Sequence, residues 1–290
     1  MKTLRVTGVP EHFNLPWKKV IAKQPFISRG LKLEWIEESR GSGQMNLAIR
    51  NDETDIALIL TESFLQDFEN GSPSKMIGFQ VLSPLVWGIH IYGKSLINSI
   101  SQIKKPLFLV SRIGSGSQLM SYVLAKRENW NKANLNFEIV GNLQGALGKM
   151  TADKSELFLW EKFTTKPWVD SGEFKRIGEV PSPWPCFVMV ASQKALNRFE
   201  ELILELRDLV YQESQNLQTS NSTAEEISTH YNLKLEDVKL WLAQTQWAVN
   251  GEISVSGLKK AMNEMVDLGI LKSELRLEEF LISEGIHLIS

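Results

Sequence analysis

Two short stretches rich in serine and glycine carry most of the chemical promise of this sequence. They are Ser39-Arg40-Gly41-Ser42-Gly43-Gln44-Met45 and Ser111-Arg112-Ile113-Gly114-Ser115-Gly116-Ser117-Gln118-Leu119-Met120, about 70 residues apart. Each follows a run of strand character and precedes a segment of helical period. A helix start presents N–H groups that have no carbonyl partner, together with a partial positive charge. Glycines let a ligand approach the backbone closely, and serine hydroxyls can cap the helix or donate to the ligand. A carboxylate, sulfonate, phosphate or polar heterocycle suits such a nest. The candidate ligand-binding residues are Gly41, Ser42, Gly43 and Met45 in the first copy, and Ser111, Arg112, Gly114, Ser115, Gly116 and Ser117 in the second. Capping and turn-making would explain either copy alone; the recurrence favours binding. Neither copy is followed by an acidic ribose binder or ends in Gly-Lys-Ser/Thr, so dinucleotide or ATP binding is not indicated.

A second dense region runs from Phe158 to Trp168. Trp160 offers a stacking surface, and Glu161, Thr164 and Lys166 offer groups that orient a flat or charged ligand. The competing reading puts Trp160 and Phe163 in the core and leaves Lys166 solvated. Glu11-His12 and Thr61-Glu62-Ser63 follow strand segments, and ligands of open α/β sheets bind at such carboxyl ends. Glu11, His12 and Glu62 therefore join the candidates. Glu11 and His12 could form an acid/base pair, or His12 could cap the loop backbone. Ser42 and Ser115 have no sequence-marked base, so a nucleophilic triad has no support.

What surrounds these residues excludes several classes. With 43% hydrophobic and 23% charged residues, the composition is that of a globular protein, and the net charge of −2 provides no field for nucleic acid. Lysine and arginine never run beyond a pair. The single cysteine, Cys186, allows no internal disulfide, and four scattered histidines make no metal motif, so neither a metal nor another cofactor is expected. No window approaches 18 apolar residues, so no membrane insertion is expected. No secretory leader is visible after Met1, which, taken as the native start, places the protein in the cytoplasm.

The elements that must position the candidates alternate in type. Strands are expected at Leu4–Gly8, Leu31–Glu37, Asp55–Thr61, Met76–Leu82, Trp87–Tyr92, Leu107–Ser111, Phe137–Val140, Leu157–Trp160, Lys175–Val180 and Cys186–Ala191. Helical spacing appears over Gln44–Arg50 and Gln118–Arg127. Such alternation predicts α/β sheets with helices on both faces. From Gln193 onward the periodicity predicts an all-helical tail, with a loop over Asn216–Ser222. The doubled strand–loop–helix unit suggests two similar lobes, and Ser83-Pro84-Leu85-Val86-Trp87-Gly88 and Pro181-Ser182-Pro183-Trp184-Pro185 read as the crossings between them, where Trp87 and Trp184 either line the cleft or pack at the hinge.

The order of elements, the paired Ser/Gly loops, the proline-marked crossings and the helical tail resemble the type II periplasmic-binding-protein fold. The nearest class is the substrate-binding proteins for nitrate, sulfonates, taurine and thiamine-pyrimidine precursors. Residues 158–172 and Pro183-Trp184-Pro185-Cys186-Phe187 resemble a cytosolic branch of that class. The resemblance implies an α/β, two-lobed fold with hinge crossings. One lobe would comprise residues 1–85 and 186–290, including the tail, and the other residues 86–185. It implies a binding protein that closes its lobes on a small polar or anionic molecule, with the Ser/Gly loops and Trp160-Glu161 in contact with it. The missing leader departs from the transport pattern and puts a permease partner in doubt. The alternative is a cytosolic enzyme on the same fold, with thiamine-pyrimidine or chorismate/menaquinone-type chemistry.

Overall fold

The structure, a computed structural model, describes residues 1–151 and 155–290. The chain divides into two compact units, Met1–Ser83 with Trp184–Ser290, and Pro84–Pro183. In chain order the first unit contains β1 (Lys2–Gly8), α1 (Leu15–Ala22), β2 (Leu31–Glu37), α2 (Ser42–Arg50), β3 (Ile56–Leu60), α3 (Thr61–Glu69) and β4 (Ser74–Val81). The second contains β5 (Val86–Tyr92), β6 (Leu107–Val110), α4 (Gly116–Arg127), β7 (Asn136–Ile139), α5 (Leu143–Lys149), β8 (Glu156–Glu161), α6 (Lys166–Asp170) and β9 (Phe174–Pro181). The chain then returns to the first unit with β10 (Phe187–Ser192) and α7 (Gln193–Thr219). It ends in α8 (Thr223–Tyr231), α9 (Leu235–Leu242), β11 (Glu252–Ser254), α10 (Val255–Asp267), α11 (Leu277–Phe280) and β12 (His287–Ile289).

Each unit is built on a five-stranded sheet, and the two sheets share one topology. The order is β2-β1-β3-β10-β4 in the first unit and β7-β6-β8-β5-β9 in the second. Four strands of each run in one direction, and the one fourth in order (β10 or β5) lies antiparallel to both its neighbours. That fourth strand is in both cases the first one formed after a crossing. Sequence explains the strand positions. Ile56-Ala57-Leu58-Ile59-Leu60 is apolar throughout and entirely buried, as a central strand covered on both faces requires. Edge strand β2 alternates instead, with Leu31 and Leu33 buried and Lys32 and Glu34 exposed.

The common topology corrects one inference from the sequence. The two Ser/Gly loops are not equivalent positions of the two units. The first follows edge strand β2, whereas the second follows β6, whose counterpart in sheet order is β1. The true counterpart of the first loop is Val140-Gly141-Asn142 ahead of α5, where Gly141 has φ +78 and Asn142 caps the helix by accepting from Gly145 N at 3.0 Å.

The tail is also not all-helical. β11 and β12 pair in parallel, Glu252 opposite His287 and Ser254 opposite Ile289. α7 continues to Thr219, through most of the stretch expected to be a loop. The tail protects the outer edge of β4, a row of backbone groups that would otherwise invite pairing with another chain. Ala248 N donates to Gln80 O at 2.8 Å and Ile282 N to Met76 O at 3.1 Å, while Leu82 N donates to Gln246 O at 2.8 Å. Among the described residues no helix is long and apolar enough to cross a membrane, and no three His, Cys, Asp or Glu side chains are grouped as metal ligands.

Candidate functional site

In the first unit the loop after β2 turns into α2 through Gly41, whose φ of +81 is a conformation that other residues adopt only with strain. Ser42 does not cap its own helix. Its Oγ accepts from Leu60 N at 3.0 Å, tying the start of α2 to the end of β3. The amides of Ser42 and Gly43 lie in the first turn, where a helix offers no carbonyl to receive them. Arg40 is folded onto Glu38 through paired bonds of 2.8 and 2.7 Å. Met45 is fully buried in α2.

The loop in the second unit is more tightly wired. Ser115 caps α4 by accepting from Gln118 N at 3.4 Å, and its hydroxyl meets that of Ser117 at 2.9 Å. Ser111 N donates to Ser117 Oγ at 3.2 Å and Gly114 N to Gln118 Oε1 at 2.7 Å; Gly114 has φ +76. Ser115 and Ser117 are buried, Ser111 and Arg112 half-buried. The hydroxyls of Ser115 and Ser117 thus serve the loop. The first-turn amides of Gly116 and Ser117, both buried residues, have no carbonyl of their own twelve-residue helix to receive them.

At the end of β3 the strand runs directly into α3, and Thr61, Glu62 and Ser63 are all buried in its first turn. Trp184 Nε1 donates to Glu62 Oε2 at 2.7 Å, Thr61 Oγ1 donates to Pro185 O, and Asn46 Nδ2 donates to Ser63. Burial pushes the Glu62 carboxyl up to about 7, against the opposing pull of its hydrogen bonds from Trp184 and its own backbone.

His12 does not form an acid/base pair with half-buried Glu11. Its ring is 5% exposed and lies 4.1 Å from the Trp241 ring, with Phe13 and Tyr231 beside it, and its Nε2 has no hydrogen-bond partner. Burial lowers its pKa to about 3, so the imidazole is neutral at any ordinary pH.

The stretch from Trp160 to Lys166 is self-contained. Glu161 Oε2 accepts from Phe163 N at 2.9 Å, Thr164 N at 2.6 Å and Thr164 Oγ1 at 2.8 Å, so its carboxylate organises the turn after β8. Burial raises its pKa while these bonds oppose the shift. Lys166 pairs with Asp170 one helical turn on, at 2.6 Å. Trp160 stacks on Phe158, ring centres 5.2 Å apart, and packs on a core cluster that includes Ala146 and Met150 beside α5. The stretch serves mainly as framework. Trp87, read on sequence as either lining the cleft or packing at the hinge, is buried directly opposite Glu161 in the β5–β8 pair.

Comparison with known proteins agrees with this architecture. Residues 87–180 match the model of the Ca3427-like PBP family. No match was found among curated proteins. Among solved structures, the CA3427 gene product of Candida albicans is 25% identical at a TM-score of 0.86, covering 100% of this chain and 99% of that one. The alkanesulfonate-binding protein SsuA of Xanthomonas axonopodis pv. citri, bound to MOPS, is 12% identical at a TM-score of 0.71, with 100% and 99% covered. PhnD1 of Prochlorococcus marinus, in complex with methylphosphonate, is 14% identical at a TM-score of 0.62, with 93% and 99% covered. The chain therefore has the two-lobed α/β fold of the type II periplasmic binding proteins, and most of its second unit matches the Ca3427-like PBP family.

Proposed function

We propose that this protein binds a small molecule whose polar or anionic group is received by helix-start amides, those after β2 in the first unit or those after β6 in the second. The observation that carries this reading is that the hydroxyls of Ser42, Ser115 and Ser117 are engaged within their own units, while the first-turn amides of Ser42 and Gly43 in one unit and of Gly116 and Ser117 in the other have no carbonyl of their own helix to receive them. Backbone N–H groups at the positive end of a helix favour an oxyanion over a cation. The neighbours whose ligands are oxyanions, a sulfonate and a phosphonate, support the same class.

Gly116→Val tests the reading. It places a β-branched side chain on the first residue of α4, beside both amides. Titration calorimetry with MOPS and methylphosphonate should show affinity at least about tenfold weaker than wild type, or 1.4 kcal/mol, with far-UV circular dichroism unchanged. Undiminished affinity would remove the loop from the site.

A second reading, in which the ligand is turned over, is favoured by Glu62. A fully buried carboxyl with its pKa near 7 is suited to general acid/base work. Its mark would be product formed in excess over protein and lost in Glu62→Gln.

A further inference from the structure

The amides of Gly116 and Ser117 are not the only donors without an acceptor in the second unit. Trp87 is 5% exposed, and its indole Nε1 has no hydrogen-bond partner. A buried N–H normally finds an acceptor, and one that does not calls for an explanation.

Strand pairing places this indole on the ligand loop's side of the sheet. β6 connects to β7 through α4 in one direction along the sheet, and β7 connects to β8 through α5 in the other. Right-handed crossovers in opposite directions put α4 and α5 on opposite faces. The α5 face is identified by Phe158 and Trp160, which pack with Ala146 and Met150. Side chains alternate along β8, so Leu157, Leu159 and Glu161 face α4. Trp87 is paired with Glu161, and Gly88 with Trp160, so Trp87 shares the α4 face. Because β5 runs antiparallel to β8, Trp87 near the start of β5 lies at the carboxyl end of β8, the same edge from which the Ser111–Ser115 loop leaves β6. Glu161, the carboxylate directly across from Trp87, is turned into its own Phe163–Thr164 bonds and leaves the indole without a partner.

We propose that the Trp87 indole N–H is a third donor of the second unit's ligand site, directed at the same oxyanion (sulfonate, phosphonate or carboxylate) that the Gly116 and Ser117 amides receive. This rests on the reading of that loop as a binding site. It reassigns the aromatic role from Trp160, which belongs to the opposite face, to a residue whose function is hydrogen bonding rather than stacking.

Trp87→Phe keeps an aromatic ring and deletes the donor. Titrated with MOPS and methylphosphonate, the variant should bind five- to tenfold more weakly than wild type, with its thermal midpoint unchanged or raised. In wild-type protein the Trp87 indole 1H–15N signal, assigned by through-bond experiments, should move saturably with either compound, so the test survives a variant that fails to fold. Equal affinities, or weaker binding with a stationary indole signal, would overturn the proposal. Gly116→Val keeps the two levels apart. If that variant loses binding while Trp87→Phe does not, the loop stands and the third donor falls. If wild-type protein binds neither compound, the loop reading fails and the proposal with it.

Discussion

Glu62→Gln should gain about 3 kcal/mol on the wild type as the pH is raised from 4.5 to 8. The native carboxyl is raised from its ordinary 4.5 to about 7 by burial. Between those values the unfolded chain has released the proton and the native state still holds it, so unfolding releases a proton and wild-type stability falls as the pH rises. Above about 7 both states are ionised and the loss is complete. Glutamine carries no such proton, and its amide oxygen can still accept from Trp184. Near pH 4.5 the two proteins should be close in stability, because protonated glutamate and glutamine are similar in shape. Urea unfolding at the two pH values measures the difference. A gap that stays constant would show that the carboxylate is accommodated without cost and would weaken Glu62 as an acid/base group. A residue that reduces stability at neutral pH is kept for another reason, and the end of β3 beside Ser42 is where that reason would act.

His12→Phe should gain on the wild type in the opposite direction, by about 3 kcal/mol as the pH is lowered from 7 to 4. Here burial lowers the native pKa from 6.5 to about 3. Below 6.5 the unfolded chain takes up a proton that the native imidazole refuses, so the wild type loses stability progressively as the pH falls. Phenylalanine keeps the ring against Trp241 and Phe13 and removes the titration. His90 titrates in the same sense, lowered to about 4 by burial, but is present in both proteins and cancels in the comparison. Equal acid sensitivity of the two proteins would mean that His12 is reached by water in solution.

The fold was legible where the signal is local. All ten main strands lie within one or two residues of the segments read from sequence, because runs such as Ile56–Leu60 and Leu157–Trp160 declare burial by composition alone. β11 and β12 were not legible. Three residues each, with the last strand exposed, they exist through mutual pairing rather than through a pattern of their own. The candidate site divides along the same line. Gly41 and Gly114 could be placed at turns because tolerance of positive φ is a property of glycine itself. Trp160 and Trp87 could not be told apart, since which of them faces α4 depends on the β5–β8 register and on the hand of two crossovers, neither of which is written in the neighbouring residues. The recurrence of the Ser/Gly pattern invited an equivalence that sheet order denies. Glu161 looked available because three donors from its own turn are invisible until the turn is built.

The central claim is that the first-turn amides of α2 or of α4 receive an oxyanion, and the most direct measurement is a 15N-resolved NMR titration of the wild-type protein with methylphosphonate and MOPS. Saturable shifts should centre on the amides of Ser42 and Gly43 or of Gly116 and Ser117. Binding whose shifts lie elsewhere, or no binding by either compound, would contradict it.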